Sequence, residues 1–354
     1  MSATEVMEAA QEPLTLTMNN GQTISFKSNI SIEADEIPII DISGIYSENF
    51  EDRKAVAEKI REACHRIGFF YAINHGVDPS LTEGVFEQAK RFFNLPEEKK
   101  MEVCTDLQPE EYFGYFPMSL YNRNNKKYSD LMEAFNWGYD AKYDPMATDK
   151  DKDIPHKNLW PTDVPGFKET LHAHHTTLLG LARRLMRTFA LALHMPEDFF
   201  DDFVVHPEAA QRIVHYPIQE QSVDDQHGIG AHTDFECFTF VSQDQQGGLE
   251  VLSKSGYWVK AKPIPNSLVV NIGDCFMRQT NDFFVSTVHR VINKSGAERY
   301  SCPFFFGFDR AKLLEPVASC VSEDNPFKYP IMTSGEYYLW RAAKAKEKEP
   351  EEAK

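Results

Sequence analysis

Apolar and polar positions alternate in two different ways along this chain. Up to about residue 200 the apolar positions recur at helical spacing. Val56, Ile60, Ala63 and Ile67 form one such series, broken by Gly68. Leu81, Val85, Ala89 and Phe92 form a second, stopped near Pro96, and Leu171, Leu178, Leu181, Leu185, Phe189 and Ala192 a third, ending around His194-Met195-Pro196. Each predicts an amphipathic helix. Two extended runs lie among them, Ile37–Asp41 and Phe69–Ile73, the second closed by the turn Asn74-His75-Gly76. After Glu208 the spacing shortens to β runs: RIVHY, CFTFV, LEVL, YWVKA, LVVNI, TVHRV and YSCPFFFGF. Short strands separated by turn signals predict a barrel or jelly roll.

Residues 97–164 are charged, aromatic and irregular, as long functional loops often are. The organisation expected is a flexible N-terminal segment over 1–35 and a helical or mixed region over 36–207. A β core over 208–310, a helical segment over 311–342 and a disordered charged tail over 343–354 complete it. The chain contains no internal repeat.

Composition narrows the function. The 354 residues include 37 Lys and Arg against 54 Asp and Glu, a net charge of −17. That excess repels phosphate backbones and anionic lipid, so neither nucleic acid nor a membrane surface is the expected partner. The six cysteines, Cys64, Cys104, Cys237, Cys275, Cys302 and Cys320, form no CxxC pair and are too sparse for a disulfide scaffold. They are expected to be free thiols in a reducing compartment. The opening MSATEVMEAAQEP lacks the apolar stretch of a secretory signal, and no run reaches the roughly 20 apolar residues of a membrane span. The expected location is cytoplasmic, with a monomer or homodimer equally open.

The candidate chemistry lies in the β region. On a strand, residues i and i+2 share a face, so His232 and Asp234 can converge on one ion. A third ligand must come from another strand, and His289 in TVHRV is the candidate. Two histidines and one carboxylate on one face of an octahedral ion leave neighbouring positions open, the arrangement of non-haem Fe(II) oxygenases. Arg299 and Ser301 again share a face, and a guanidinium suits a carboxylate through paired, charge-assisted hydrogen bonds. Within a small barrel such an arginine needs an anionic partner, which a bound dicarboxylate supplies.

The run HTD (232–234), His289 and RYS (299–301) resembles the 2-oxoglutarate/Fe(II)-dependent dioxygenases of the isopenicillin-N-synthase-like branch. IPIIDIS (37–43), GFFYAINHGV (68–77), FFNLPEEKK (92–100), NLWP (158–161), GDCFMRQTND (273–282) and FFFGFD (304–309) agree, so the resemblance spans about 36–340. It implies a mainly β fold, a double-stranded β-helix (jelly roll) core with an N-terminal helical region. It implies His232, Asp234 and His289 as ligands of Fe(II), and Arg299 and Ser301, assisted by Tyr216, as the holders of 2-oxoglutarate. O₂ is then a co-substrate and ascorbate the reductant used in vitro. The implied activity is oxidation of a small organic metabolite by hydroxylation, desaturation or ring formation, in specialised-metabolite biosynthesis. Two departures stand out. Val214 occupies a position where the family commonly has Asn, and Glu236 one where it often has Gly. Glu236 either faces solvent, the favoured reading, or reaches toward the residues around the metal ligands.

Phe235, Phe304, Phe306 and His215 flank these motifs and are expected to line the substrate pocket. His227, like His215, is expected near the mouth of the barrel. Residues 97–140 and the segment after Asp309 are expected to shape it further. His172, His174 and His175 read as a polar helix face rather than a metal patch. His75, Arg278 and Asn281 read as structural residues. Three competing functions remain at this level: a 2-oxoglutarate-independent iron oxidase of isopenicillin N synthase type, a non-catalytic jelly-roll metal-binding protein, and zinc hydrolysis. The last leaves Arg299 without a role.

Overall fold

The computed structural model describes residues 14–17, 23–27, 31–33, 36–107, 112–118, 130–153, 157–219 and 227–346. In chain order its strands begin with β1 (Leu14–Thr17), β2 (Thr23–Phe26), β3 (Ser31–Ile32) and β4 (Ile39–Asp41). Helix α1 (Phe50–Arg66), β5 (Phe69–Ile73), α2 (Pro79–Phe93), α3 (Glu97–Met101), β6 (Gly114–Phe116) and β7 (Glu133–Gly138) follow. Then come α4 (Asp149–Lys152), α5 (Phe167–Ala192), β8 (Glu208–Tyr216), β9 (Ile229–His232), β10 (Phe238–Gln243) and β11 (Leu249–Leu252). The chain closes with β12 (Trp258–Lys260), β13 (Leu268–Ile272), α6 (Asp274–Gln279), β14 (His289–Val291), β15 (Arg299–Gly307) and α7 (Ser334–Lys346).

Two sheets face each other. The larger runs β4-β5-β13-β10-β15-β8-β7-β6, the smaller β3-β12-β11-β14-β9. Every pairing within them is antiparallel except β4 with β5 and β3 with β12. The inner faces meet through Val214, Tyr216 and Val269 of the large sheet and Leu249, Val251 and Val291 of the small one. The outer face of the large sheet, carrying Phe238, Phe240, Phe304 and Phe306, packs on α1 and α5. This is the expected jelly roll with flanking helices.

The three helices read from periodicity are present, and their ends follow from local chemistry. Asn49 caps α1 by accepting from the Glu51 amide, and Asp78 caps α2 by accepting from Ser80. Helix α5 stops where His194 adopts a left-handed backbone, φ 57°, one residue before Met195-Pro196. Its three histidines do not form a polar face. His174 and His175 are buried against β8, bonded to Gln211 and to the Ala209 carbonyl, and His172 stacks on Tyr143 with ring centroids 3.7 Å apart.

The segment 1–35, expected to be flexible, contributes three strands within its described residues: the β1–β2 hairpin and β3, which extends the small sheet. The stretch 97–164, expected to be irregular, contributes β6 and β7 to the edge of the large one. The signals differ: β3 is only two residues long, while β6 and β7 are buried at every position and so show no alternation. Helix α7 runs four residues beyond the expected boundary at 342, to Lys346; the rest of the expected charged tail lies outside the described residues. All six cysteines are buried, unlinked thiols. Among the described residues no helix is long and apolar enough to cross a membrane.

Candidate metal and co-substrate site

The cavity lies between the two sheets. Register brings the first two site residues together, because His289 opens β14 directly opposite His232 at the end of β9. Their ring centroids are 4.3 Å apart. Asp234 arrives by a different route from the expected strand alternation. Strand β9 ends at His232, and Asp234 lies two residues past it, just before the bend at Phe235–Cys237. There its carboxylate accepts from Thr239 (2.6 Å) and Asn271 (2.7 Å), both through Oδ2. Its own carbonyl accepts from the Asp274 amide at 2.8 Å. Oδ1 is left facing the histidines, 3.8 Å from His232 Nε2 and 3.7 Å from His289 Nε2.

Each histidine has a carbonyl against its other nitrogen. His232 Nδ1 lies 2.8 Å from the Gly230 carbonyl and His289 Nδ1 lies 3.1 Å from that of Thr287. A carbonyl can only accept, so both Nδ1 atoms carry the proton and both Nε2 atoms present a lone pair to the centre. The three ligand-type atoms lie within 4.8 Å of one another, the single such group among the described residues. Two imidazole nitrogens and one carboxylate oxygen suit a divalent first-row metal.

Arg299 and Ser301 project into the same cavity from β15. Arg299 is 1% exposed, yet among the described residues no carboxylate pairs with it. Its Nε donates to the Gly247 carbonyl, its Nη2 to Gln243 Oε1 at 3.2 Å, and its Nη1 has no partner. The guanidinium lies over the Tyr216 ring, 4.7 Å from the centroid. The Gly247-Gly248 turn that seats it has φ of 76° and 93°, and a Cβ on Gly248 would meet the Ile292 carbonyl at 2.7 Å. A buried cation with an unsatisfied donor fits an anionic ligand, and a carboxylate is the natural complement.

Not all of the expected pocket residues reach the cavity. Phe235 lines it, but Phe304 and Phe306 do not. On β15 the inward positions are 299, 301, 303 and 305, so Pro303 and Phe305 face the cavity while Phe304 and Phe306 pack under the helices. His215 also points away. Its Nδ1 bonds Glu133 at 2.8 Å and its ring stacks on Tyr300, beside the Lys100–Glu133 ion pair. His227 is absent from the cavity wall. Sequence parity would have found Phe305, since it shares the face of Arg299 and Ser301. Tyr112, Phe113 and, from α7, Tyr338 complete the wall, drawn from the two segments expected to shape it.

Glu236 departs from the favoured reading, because it is part-buried and lines the cavity. Burial, reinforced by the charge of Asp234, pushes its carboxyl up to about 8. Val214 is also on the wall, apolar where an amide could have bonded the co-substrate. His75, Arg278 and Asn281 have structural contacts. His75 accepts from the Val77 amide at 3.2 Å, Arg278 reaches the Pro330 carbonyl, and Asn281 donates to the Asn325 and Pro326 carbonyls.

Comparison with known proteins agrees with this geometry. The family described as "non-haem dioxygenase in morphine synthesis N-terminal" matches residues 37–163, and the "2OG-Fe(II) oxygenase superfamily" matches 207–308. The chain is 40% identical to the 2-oxoglutarate-Fe(II) type oxidoreductase ppzC of Metarhizium majus, over 83% of either chain. It is 35% identical to the 2-oxoglutarate-Fe(II) type oxidoreductase hxnY of Emericella nidulans, over 84% of this chain and 86% of that one. Among solved structures, a full-length Neurospora crassa protein in complex with alpha-KG and 5-formyluracil superposes with a TM-score of 0.77 at 30% identity, covering 89% of this chain and 99% of that one.

Proposed function

The chain belongs to the 2OG-Fe(II) oxygenase superfamily, and from that premise we propose that it oxidises a small organic metabolite in specialised-metabolite biosynthesis. It is an Fe(II)- and 2-oxoglutarate-dependent oxidoreductase. In this reading His232, Asp234 and His289 hold the iron, and Arg299, Ser301 and Tyr216 hold the distal carboxylate of 2-oxoglutarate. The observation that carries it is Arg299, a buried guanidinium with a free Nη1 and no carboxylate partner among the described residues.

When bound, Fe(II) and 2-oxoglutarate supply an oxidation driven by O₂, with succinate and CO₂ as the co-products. The chain's own residues prepare the place for it. The two Nδ1–H bonds fix both imidazoles with Nε2 inward, and Thr239 and Asn271 hold Asp234 so that Oδ1 alone is presented. Arg299 orients the co-substrate, and the aromatic wall of Phe113, Phe235 and Phe305 keeps water from the reacting carbon and holds its C–H bond in place. The Neurospora crassa structures that resemble this one hold thymine or 5-formyluracil, small planar molecules, beside alpha-KG. That scale agrees with a metabolite substrate.

The test is an anaerobic titration of Fe(II)-loaded protein with 2-oxoglutarate, followed by a metabolite screen in air. A visible charge-transfer band in the first and substrate-stimulated succinate in the second are expected. Absence of the band, with O₂ consumed and no succinate formed, would move the protein to the co-substrate-independent oxidases.

A further inference from the structure

We propose that Glu236 selects the substrate by pairing with a cationic nitrogen that the substrate carries into the cavity. The proposal rests on the oxygenase reading of the site and names the substrate class which that reading leaves open.

Glu236 is held too firmly to be an incidental loop residue. The bend that carries it is bonded on both sides: Cys237 N donates to the Phe306 carbonyl at 2.9 Å, and Cys275 N to the Phe235 carbonyl at 3.1 Å. Gly273 donates to the Cys237 carbonyl at 2.8 Å, and a Cβ there would stand 2.2 Å from the Glu236 carbonyl oxygen. The backbone is therefore fixed, and Glu236 is held as part of the cavity wall.

No cation of the protein complements it there. Among the described residues no side chain hydrogen-bonds or ion-pairs with the Glu236 carboxyl. The backbone of its own bend, at Glu236 and Phe235, favours its charged form, but the charges of Asp234 and Glu208 have the same sign and oppose it. Its neighbours in the cavity are already engaged. Asp234 accepts from Thr239 and Asn271, while Arg212 donates from Nε to Asn136 at 2.7 Å. Nor does Glu236 join the group of ligand atoms at the metal site. A carboxyl in a largely apolar cavity with no charged partner is unfavourable, so the complement comes from what binds. A cation favours the ionised carboxylate that this cavity otherwise disfavours: a protonated amine or a guanidinium supplies the opposite charge, a neutral molecule supplies none, and an anion is repelled. The aromatic surfaces on the same wall, Phe113, Phe235, Phe305 and Tyr338, favour a cation as well.

The experiment uses full-length protein loaded with Mn(II) and 2-oxoglutarate under nitrogen, so that binding is read without turnover. Matched small molecules that differ in charge serve as probes: benzylamine, benzyl alcohol and benzoate, then piperidine against tetrahydropyran. Dissociation constants come from calorimetry and melting shifts. The amines should bind at least tenfold more tightly than their neutral and anionic counterparts. In Glu236→Gln that preference should disappear while the 2-oxoglutarate dissociation constant stays within twofold. Glu236→Asp, which keeps the charge, should retain part of the preference and serves if the Gln variant melts early. Equal binding of amine and alcohol, or an undiminished preference in Glu236→Gln, overturns the proposal. If the wild type fails to bind 2-oxoglutarate before any probe is added, the oxygenase reading has failed, and the proposal loses its ground with it.

Discussion

Arg341 on α7 and Asp274 at the start of α6 form a buried ion pair, Nη2 to Oδ2 at 2.6 Å, beside the metal triad. Thr233, the residue between His232 and Asp234, donates to the same carboxylate oxygen at 3.0 Å. The Arg341 guanidinium also covers the Phe235 ring, 4.4 Å from its centroid. A helix near the end of the chain is thereby locked onto the segment that carries two ligand candidates, and the same helix brings Tyr338 to the cavity.

The first prediction follows from that lock. Arg341→Ala leaves Asp274 buried without its cation, a loss on the order of 3–5 kcal/mol. Urea unfolding should show it, and the Michaelis constant for whatever substrate a screen returns should rise more than that for 2-oxoglutarate. A destabilisation below about 1 kcal/mol would mean that α7 is held by its apolar contacts alone.

A second concerns the residues behind the carboxylate ligand. Asn271→Ala removes one of two donors that hold Asp234 Oδ2, and metal affinity should fall by about 10- to 100-fold with the fold intact. Asp234→Ala should abolish Fe(II) binding altogether. It should also cost roughly 1–3 kcal/mol of stability, because Thr239 and Asn271 are left as buried, unpaired donors. Isothermal titration with Fe(II) under nitrogen separates the two effects.

For the co-substrate, Arg299→Ala should weaken 2-oxoglutarate by at least about tenfold, since a charge-assisted contact is worth roughly 1.5–3 kcal/mol. Fe(II) affinity should hardly change, because Arg299 is outside the ligand group. Ser301→Ala should fall between this variant and wild type. Equal 2-oxoglutarate affinity in Arg299→Ala and wild type would remove Arg299 from the co-substrate site.

The buried histidines of α5 predict a pH dependence of stability. Burial lowers both His174 and His175 from 6.5 to about 4. Between those values the unfolded chain binds protons that the folded one refuses. Stability is therefore fully present above about pH 6.5 and is lost as the pH falls toward 4, by roughly 3 kcal/mol for each histidine. Urea midpoints between pH 4.5 and 7 should slope accordingly, and His175→Gln should remove close to half of the slope. An unchanged slope would assign it to other groups.

How far the sequence disclosed this site depended on the kind of signal. Residue type and spacing are enough to single out His232, Asp234, His289, Arg299 and Ser301, which the structure brings to one cavity, because few other uses call for that combination at those intervals. The mode of convergence was not legible. Asp234, just before a bend, is held by Asn271, a contact across 37 residues that no local pattern carries. The direction of Glu236 is open in the sequence for a similar reason, since only the clamp formed by Gly273 and Phe306 shows how that bend is held. His174 and His175 look like solvent-facing polar residues until β8 supplies Gln211 and the Ala209 carbonyl as their partners. Burial of a polar group is decided by its partner, and the partner is remote in the chain.

The error at Phe304 and Phe306 was of another sort, and it leads to the final prediction. Strand parity alone puts residue 305, not 304 or 306, on the face of Arg299 and Ser301, and the structure agrees: Phe305 lines the cavity, while Phe304 is fully buried between the large sheet and α5. Two adjacent phenylalanines should therefore fail in opposite ways. Phe304→Ala opens a hole beside Phe240 and His175 and should cost about 3–5 kcal/mol in urea unfolding, the usual range for a buried aromatic. Its catalytic constants, measured well below the new melting temperature, should stay near wild type. Phe305→Ala removes cavity wall rather than core, so its stability should change by less than about 1.5 kcal/mol, below the loss expected for a packed ring. Substrate binding should weaken instead, and more 2-oxoglutarate should be spent per molecule of product as water enters the cavity. If Phe304→Ala were the variant with impaired substrate binding and full stability, the face assignment along β15 would be inverted, and the placement of Arg299 and Ser301 in the cavity would be inverted with it.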